Sequence, residues 1–176
     1  MNAWMTNVQI YASPLGELLL ASDGQGLSGC WFEGQKYYAV GFNKDDLVSR
    51  EDQILFQAKN WLDQYFNGED PSNKGLKFHP HVTEFRQSVL DVLQSVPYGK
   101  VITYQQLAAK VKSQQDSGKY ARAVAGAVGH NPLSIFIPCH RVLGSDGSLT
   151  GYAGGLKRKR TLLEFEQEPN ASFWKK

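Results

Sequence analysis

The run Ile135-Phe136-Ile137-Pro138-Cys139-His140-Arg141-Val142 narrows the possible folds of this chain more than any other stretch. Three consecutive apolar residues predict a buried strand, and Pro138, which has no N–H to give, ends it. A thiol, an imidazole and a guanidinium then follow at successive positions. A free thiol is mostly protonated at neutral pH, so a cysteine that attacks carbon needs a proton acceptor nearby. His140 is the candidate. Neighbours in a strand point to opposite faces, so the two cooperate only if Pro138 opens a turn or a water joins them; water is the expected link. A plain alternative stands beside this one, because cysteine is among the most buried residue types and often only fills a core.

The surroundings favour chemistry. Downstream, Gly144-Ser145-Asp146-Gly147 is a turn signal, followed by Gly151-Tyr152-Ala153-Gly154-Gly155 and a helix-like segment ending near Glu166. Three glycines around one tyrosine suit a loop whose backbone must come close to a flat ligand with its amides free to donate. Upstream, residues 122–130 make a helix-length stretch with almost no side-chain bulk. Ala123, Ala125, Gly126, Ala127 and Gly129 allow either tight packing in a core or close approach of something outside, such as a DNA groove.

Five blocks in order, Tyr104-Gln105-Gln106-Leu107-Ala108, Arg122-Ala123-Val124, Asn131-Pro132, Ile137 to Val142 and Gly151 to Gly155, make the chain resemble the O6-alkylguanine-DNA alkyltransferases. The resemblance spans about Phe85 to Glu166. It implies an α+β protein, with a small ribonuclease-H-like sheet-plus-helix domain followed by a mainly helical domain carrying a winged-helix-like helix-turn-helix. It also implies double-stranded DNA containing alkylated guanine as partner, and a minor-groove helix that reads little sequence.

The local signals agree with that architecture. Val8 to Ala12, Gly16 to Ala21 and Leu27 to Phe32 read as strands, with Ser13-Pro14-Leu15-Gly16 as a hairpin turn and Cys30 as a core residue. Ser49 to Phe66 reads as a helix opened by Ser49 and Asp52, and the polar stretch from Gly68 to Gly75 as a linker. The expected domains are 1–78, a scaffold without a motif of its own, and 79–176, which binds DNA and accepts the alkyl group. Thr83 to Val96 predicts a further helix. Thr103 with Gln106 is a capping box opening the next, and a polar loop leads to a helix from Arg122 to His130.

The chain's 176 residues suffice for one good core or two small ones, and its net charge is only +2, so any grip on DNA must come from a local patch. Two cysteines far apart and no apolar signal or membrane-length segment predict a soluble, cytoplasmic protein, expected to be a monomer.

By resemblance, Cys139 is the nucleophile, His140 takes its proton through water and Glu166 holds the imidazole, although Glu164 and Glu168 stand close in sequence. Tyr104, Val142, Tyr152, Ala153 and Gly154 line the base pocket. The Tyr104 hydroxyl and an amide near Ala153 donate to the departing guanine, and the carbonyls of Cys139 and Val142 read its amine. Arg122 fills the hole left by the extruded nucleotide, with Thr103, Ala123, Ala125 and Gly126 on the DNA face. Asn131 fixes the turn into the active-site segment. The thioether product has no means of release, so the protein acts once and needs no cofactor. Some relatives carry a zinc bound by cysteines and histidines; one thiol, Cys30, with His79 and His81 is a poor zinc site, and no metal is expected.

The basic run Lys157-Arg158-Lys159-Arg160 reads as a solvated face that can also reach phosphates. Departures from the common family pattern are a longer loop from Lys112 to Ala121, Ala125 for a frequent glycine and Ala153 for a serine. Gly154 is expected to leave room for alkyl groups larger than methyl. Alternatives are a non-catalytic binder of alkylated DNA, a helix-turn-helix regulator and a cysteine hydrolase using His130.

Overall fold

The structure, a computed structural model, describes residues 5–111 and 117–175, with backbone alone at 117–119 and 171. The chain opens with a hairpin of β1 (Thr6–Ser13) and β2 (Gly16–Ser22), in which Ser13 faces Gly16 across the two-residue turn Pro14-Leu15. β3 (Leu27–Phe32) pairs antiparallel with β2, and β4 (Leu47–Ser49) lies parallel to β1, giving the order β3-β2-β1-β4. The three strands expected from sequence are present, and β4 is an addition.

All six residues of β3 are buried although it ends the sheet. An edge strand must hide its free ladder groups, and two later segments do this. Leu27 gives its N–H to Lys77 O and takes that of His79, both at 2.8 Å. Cys30 gives its N–H to Pro132 O at 2.7 Å and takes that of Ser134 at 3.1 Å. The sheet edge thereby holds the segment that leads to Cys139.

Helix α1 (Gln53–Phe66) packs its apolar face, including Leu55, Ala58, Leu62 and Tyr65, on this sheet. Its start corrects the sequence reading. Ser49 is consumed by β4, and Asp52 alone caps the helix, accepting from Leu55 N at 2.8 Å. The same carboxylate takes Asn7 Nδ2 at 3.0 Å and Ser22 Oγ at 2.7 Å, which fixes the helix to β1 and β2.

Next come α2 (Glu84–Leu93), capped by Thr83, then β5 (Ile102–Thr103) and α3 (Tyr104–Val111). The capping box forms as expected: Thr103 N donates to Gln106 Oε1 at 2.9 Å and Gln106 N to Thr103 Oγ1 at 3.1 Å. Helix α4 (Ser117–Gly129) begins before Arg122, so that residue sits inside the helix rather than at its start. Of the longer loop, residues 112–116 lie outside the described part. β6 (Val142–Leu143) pairs parallel with β5, and α5 (Leu156–Gln167) closes the fold with a short final turn, Ala171–Lys175. One apolar cluster runs through both halves, from Leu18 on the sheet to Phe165 on α5.

The run Ile135 to Ile137 is not a strand. It is a buried turn, in which Ile137 N donates to Leu133 O at 2.9 Å and Ile135 takes a left-handed φ of 74°. A β-branched residue there is strained by about 1–3 kcal/mol, so something must hold it. Asn131 does: its Nδ2 donates to Ile137 O at 2.8 Å and its Oδ1 accepts from Leu133 N at 3.0 Å.

Candidate active site

Pro138 starts a short 3-10 turn, Cys139–Arg141, stapled by Arg141 N to Pro138 O at 3.0 Å. The turn removes the opposite-face problem of a strand and directs three successive polar side chains into the interior, where His140 is fully buried and Cys139 is 4% exposed. A buried imidazole and guanidinium require a counter-charge. Glu166 on α5 supplies it, while Glu164 and Glu168 face solvent. Its Oε2 accepts from His140 Nε2 at 2.7 Å, Arg141 Nη2 at 3.0 Å and the Tyr65 hydroxyl at 2.6 Å. Its Oε1 accepts from Arg141 Nε at 2.8 Å and Gly99 N at 3.2 Å.

These bonds and the burial shift the titration of Glu166 and of His140 each in a definite direction. Burial would raise the Glu166 carboxyl, but the His140 and Arg141 charges and hydrogen bonds hold it well below the ordinary carboxylate range. Burial pulls His140 below its ordinary value, against the opposing pull of Glu166. With its Nε2 hydrogen given to the carboxylate, the neutral ring carries its lone pair on Nδ1, which is buried and has no protein partner. Burial likewise pushes the Cys139 thiol up, partly offset by the Asn131 amide and the Lys159 charge. Both shifts favour the uncharged forms, a protonated Cys139 thiol and a neutral His140 imidazole.

A cleft of about 420 Å³ opens nearby; Cys139 is not part of its lining but lies close enough to raise the pKa values of two wall residues, Tyr104 and Tyr152. Its walls are Tyr104 at the start of α3, Ala125 and Gly129 on α4, residues 150–153 of the glycine loop, and Lys36 with Tyr37 from the loop after β3. Tyr104 donates its hydroxyl to Thr150 O at 3.3 Å. Beside the cleft, Arg122, Ala123 and Ala125 form the exposed face of α4, while Val124, Ala127 and Val128 face the core. A Cβ built on Gly126 or Gly129 would meet nothing within 4 Å. Core packing therefore does not explain these two glycines, and the open outer face does.

Two family models together cover almost the whole chain. The 6-O-methylguanine DNA methyltransferase ribonuclease-like domain matches residues 8–80, and the DNA binding domain of the same name matches residues 84–168. A methylated-DNA-protein-cysteine methyltransferase of Haemophilus influenzae is 39% identical over 160 residues, 90% of this chain and 85% of that protein. One from Methanosarcina acetivorans is 40% identical, covering 89% and 96%. The chain belongs to the 6-O-methylguanine DNA methyltransferase family. The crystal structure of the Mycobacterium tuberculosis member OGT in complex with DNA superposes with a TM-score of 0.79 at 33% identity, covering 95% of this chain and 96% of that one.

Other expected site residues of this methyltransferase-family chain fall around that centre. Val142 and Gly154 are buried and do not line the cleft. A Cβ on Gly154 would meet Tyr152 Cε2 at 2.7 Å and Phe32 Cδ2 at 3.0 Å, so its small size serves packing of the loop and does not open space beside the sulfur. Thr103 is half-buried and committed to its cap.

The basic run divides differently from the sequence reading. Lys159 is fully buried, its Nζ donating to Thr150 O and Gly151 O at 3.0 Å each, 5.9 Å from the Tyr104 ring centroid. Burial pushes its pKa down to about 8. Arg158 donates to Leu15 O at 2.9 Å and Gly154 O at 3.1 Å, over the Phe32 ring. Only Lys157 and Arg160 of the run are exposed. The glycine loop needs internal cations because its carbonyls turn inward with no ladder to satisfy them.

Sequence reasoning missed Tyr65, Arg141, Lys159 and Tyr37 as members of the site. Tyr65 carried only the signal of a helix core position, and its hydroxyl partner is 101 residues away.

A zinc held by cysteines and histidines does not fit the N-terminal part. Cys30 is fully buried on β3, and burial pushes its thiol far up, away from the thiolate a metal requires. His79 and His81 gather instead at Asp23, whose Oδ2 takes His79 Nδ1 and, at 2.8 Å, His81 Nε2. The group ties the segment between the linker and α2 to the β2–β3 turn.

Proposed function

We propose that Cys139 accepts the alkyl group of O6-alkylguanine, and of O4-alkylthymine, from duplex DNA in one turnover that consumes the protein. Family membership carries the reaction class, DNA repair by alkyl transfer to a cysteine, and makes DNA the partner. The observation that supports the residue assignment is the His140 ring, tied to Glu166 by Nε2 and left with a buried, unpaired Nδ1 on the same short turn as the Cys139 thiol.

The alkyl carbon lies inside the base stack, so the nucleotide must be turned out of the duplex at a cost of a few kcal/mol. The bulk-free outer face of α4 fits a minor groove, and exposed Arg122 stands on it to occupy the emptied place in the stack. In the cleft, the thiol proton moves through a water to His140 Nδ1, and Glu166 stabilises the imidazolium. The thiolate attacks the alkyl carbon in line: the carbon–sulfur bond forms as the carbon–oxygen bond breaks, and the electron pair leaves on guanine. Tyr104 and an amide near Ala153 donate to the base as its charge grows, and the proton taken from the thiol balances it.

Asn131 acts by position, holding the strained turn that aims the sulfur. Every reacting group comes from one chain, so a monomer suffices, working in the cytoplasm on chromosomal DNA. The thioether has no leaving path, which makes the reaction stoichiometric. The test is to incubate the protein with a duplex bearing radiolabelled O6-methylguanine and locate the label. One equivalent on Cys139, and none on Cys139→Ala, is expected; label that stays on DNA would make the chain a binder.

A further inference from the structure

We infer that Tyr37, backed by the imidazole of His130, is a specificity-determining wall of the base pocket that stacks on the extruded purine and holds it while the sulfur reacts. The inference rests on the function proposed above and adds a residue from the N-terminal half to the substrate contacts.

The loop that follows β3 is built to deliver this ring. Lys36 N donates to Ala153 O at 3.1 Å, which pins the loop to the glycine loop at the cleft. Tyr37 and Ala39 then take left-handed φ values of 59° and 51°, a conformation that non-glycine residues adopt at a cost and keep where contacts hold them. The contact at Tyr37 is a stack on His130, with centroids 3.8 Å apart and planes at 25°. His130 is itself anchored at the end of α4, its Nδ1 paired with Gly126 O at 2.8 Å. One face of Tyr37 is thus backed by a fixed ring, yet the residue remains 45% exposed and lines the cleft.

Core packing does not account for a ring so placed. The occupant expected in the cleft is a flat purine, and flipped bases are held by stacking on aromatic side chains. A ring is the complementary surface for such a ligand, and His130 backs it from the far side. Stacking is tolerant of the exocyclic pattern, so hydrogen bonds at the glycine loop would still select the lesion.

The experiment measures two quantities on wild type, Tyr37→Ala, Tyr37→Leu and Tyr37→Phe. One is the single-turnover rate of label transfer from an O6-methylguanine duplex to Cys139 at saturating DNA; the other is affinity for the same duplex without the lesion. Alanine and leucine should slow transfer by about ten-fold, the scale of one lost base stack, with affinity for undamaged DNA unchanged, and phenylalanine should react like wild type. The leucine variant keeps apolar bulk in the loop, so a loss it shares with alanine belongs to the missing ring. Unchanged transfer in the alanine and leucine variants would overturn the inference, as would a loss matched by equally weakened binding of undamaged duplex, which would make Tyr37 a DNA-surface contact. A wild-type protein that transfers no label would sink the functional reading itself.

Discussion

The hydroxyl of Tyr65 donates a 2.6 Å hydrogen bond to Oε2 of Glu166, the oxygen that also receives the His140 ring. Tyr65 lies on α1 and Glu166 on α5, so the helix of the sheet half shares the carboxylate that orients the proposed base. A donor on that oxygen stabilises the anion and weakens its pull on the imidazole, which keeps His140 less basic.

Tyr65→Phe should therefore raise the basicity of His140. The acid limb of transfer rate against pH is expected to move towards higher pH, with about 1–2 kcal/mol of folding stability lost to the missing bond. A pH–rate profile and urea unfolding read the two effects separately. An acid limb that stays in place would remove Tyr65 from the proton path.

Lys159→Met takes away the cation that lowers the Cys139 thiol pKa and the donor to two loop carbonyls. The midpoint of iodoacetamide alkylation of Cys139 should move to higher pH, and transfer at neutral pH should slow by about ten-fold as the thiolate fraction falls. Neutralising exposed Lys157 or Arg160 should leave the thiol midpoint in place. If either reaches phosphate, its loss should flatten the salt dependence of DNA binding by about 0.9 in log–log slope.

Gly126→Ala separates folding from binding. Its Cβ would enter open space on an exposed helix face, so the helix should gain about 0.5–1 kcal/mol from the better former. The same methyl stands where the proposed groove approaches, and affinity for duplex DNA should fall. A variant that is more stable and binds DNA equally well would show that this face does not meet the groove.

Acidification should destabilise the fold in two stages. His140 has its pKa lowered in the folded state, so the unfolded chain binds its proton first; the stabilisation is complete above the ordinary value of 6.5 and declines as pH falls through and below it. Glu166 is also lowered, and its contribution, present above the ordinary 4.5, is lost further down as pH falls towards its depressed folded value. Urea midpoints measured between about pH 8 and about pH 3 should show both declines, and His140→Phe should lack the upper one.

Sequence patterns captured what is encoded locally. The hairpin at Pro14-Leu15, the apolar stripe of α1 and the Thr103–Gln106 box each involve residues a few positions apart, and all three appear in the structure. Periodicity misread Ile135 to Ile137 because three buried apolar residues look alike in a strand and in a turn held by a side chain. β4 escaped notice because three residues become a strand only when the edge of β1 is there to pair with. The pairing of His140 with Glu166 was legible through resemblance. The partners of Glu166 were not, since Tyr65 and Arg141 reach it from distant parts of the chain and a tyrosine on an apolar stripe shows no sign of its hydroxyl's destination. The run of four basic residues looked uniform until burial separated Lys159 from its neighbours.

The seam along β3 gives the two halves of the chain a shared fate. Pro132 and Ser134 are laced to Cys30 by backbone bonds, and the carboxylate behind the imidazole is finished only by a phenol from the other side. A fragment severed at the linker would retain every recognisable motif yet carry an exposed furrow where the strand had been and an anion short of one donor. Grafting this chemistry onto another framework thus means transplanting the sheet's border along with the helices proposed to meet DNA.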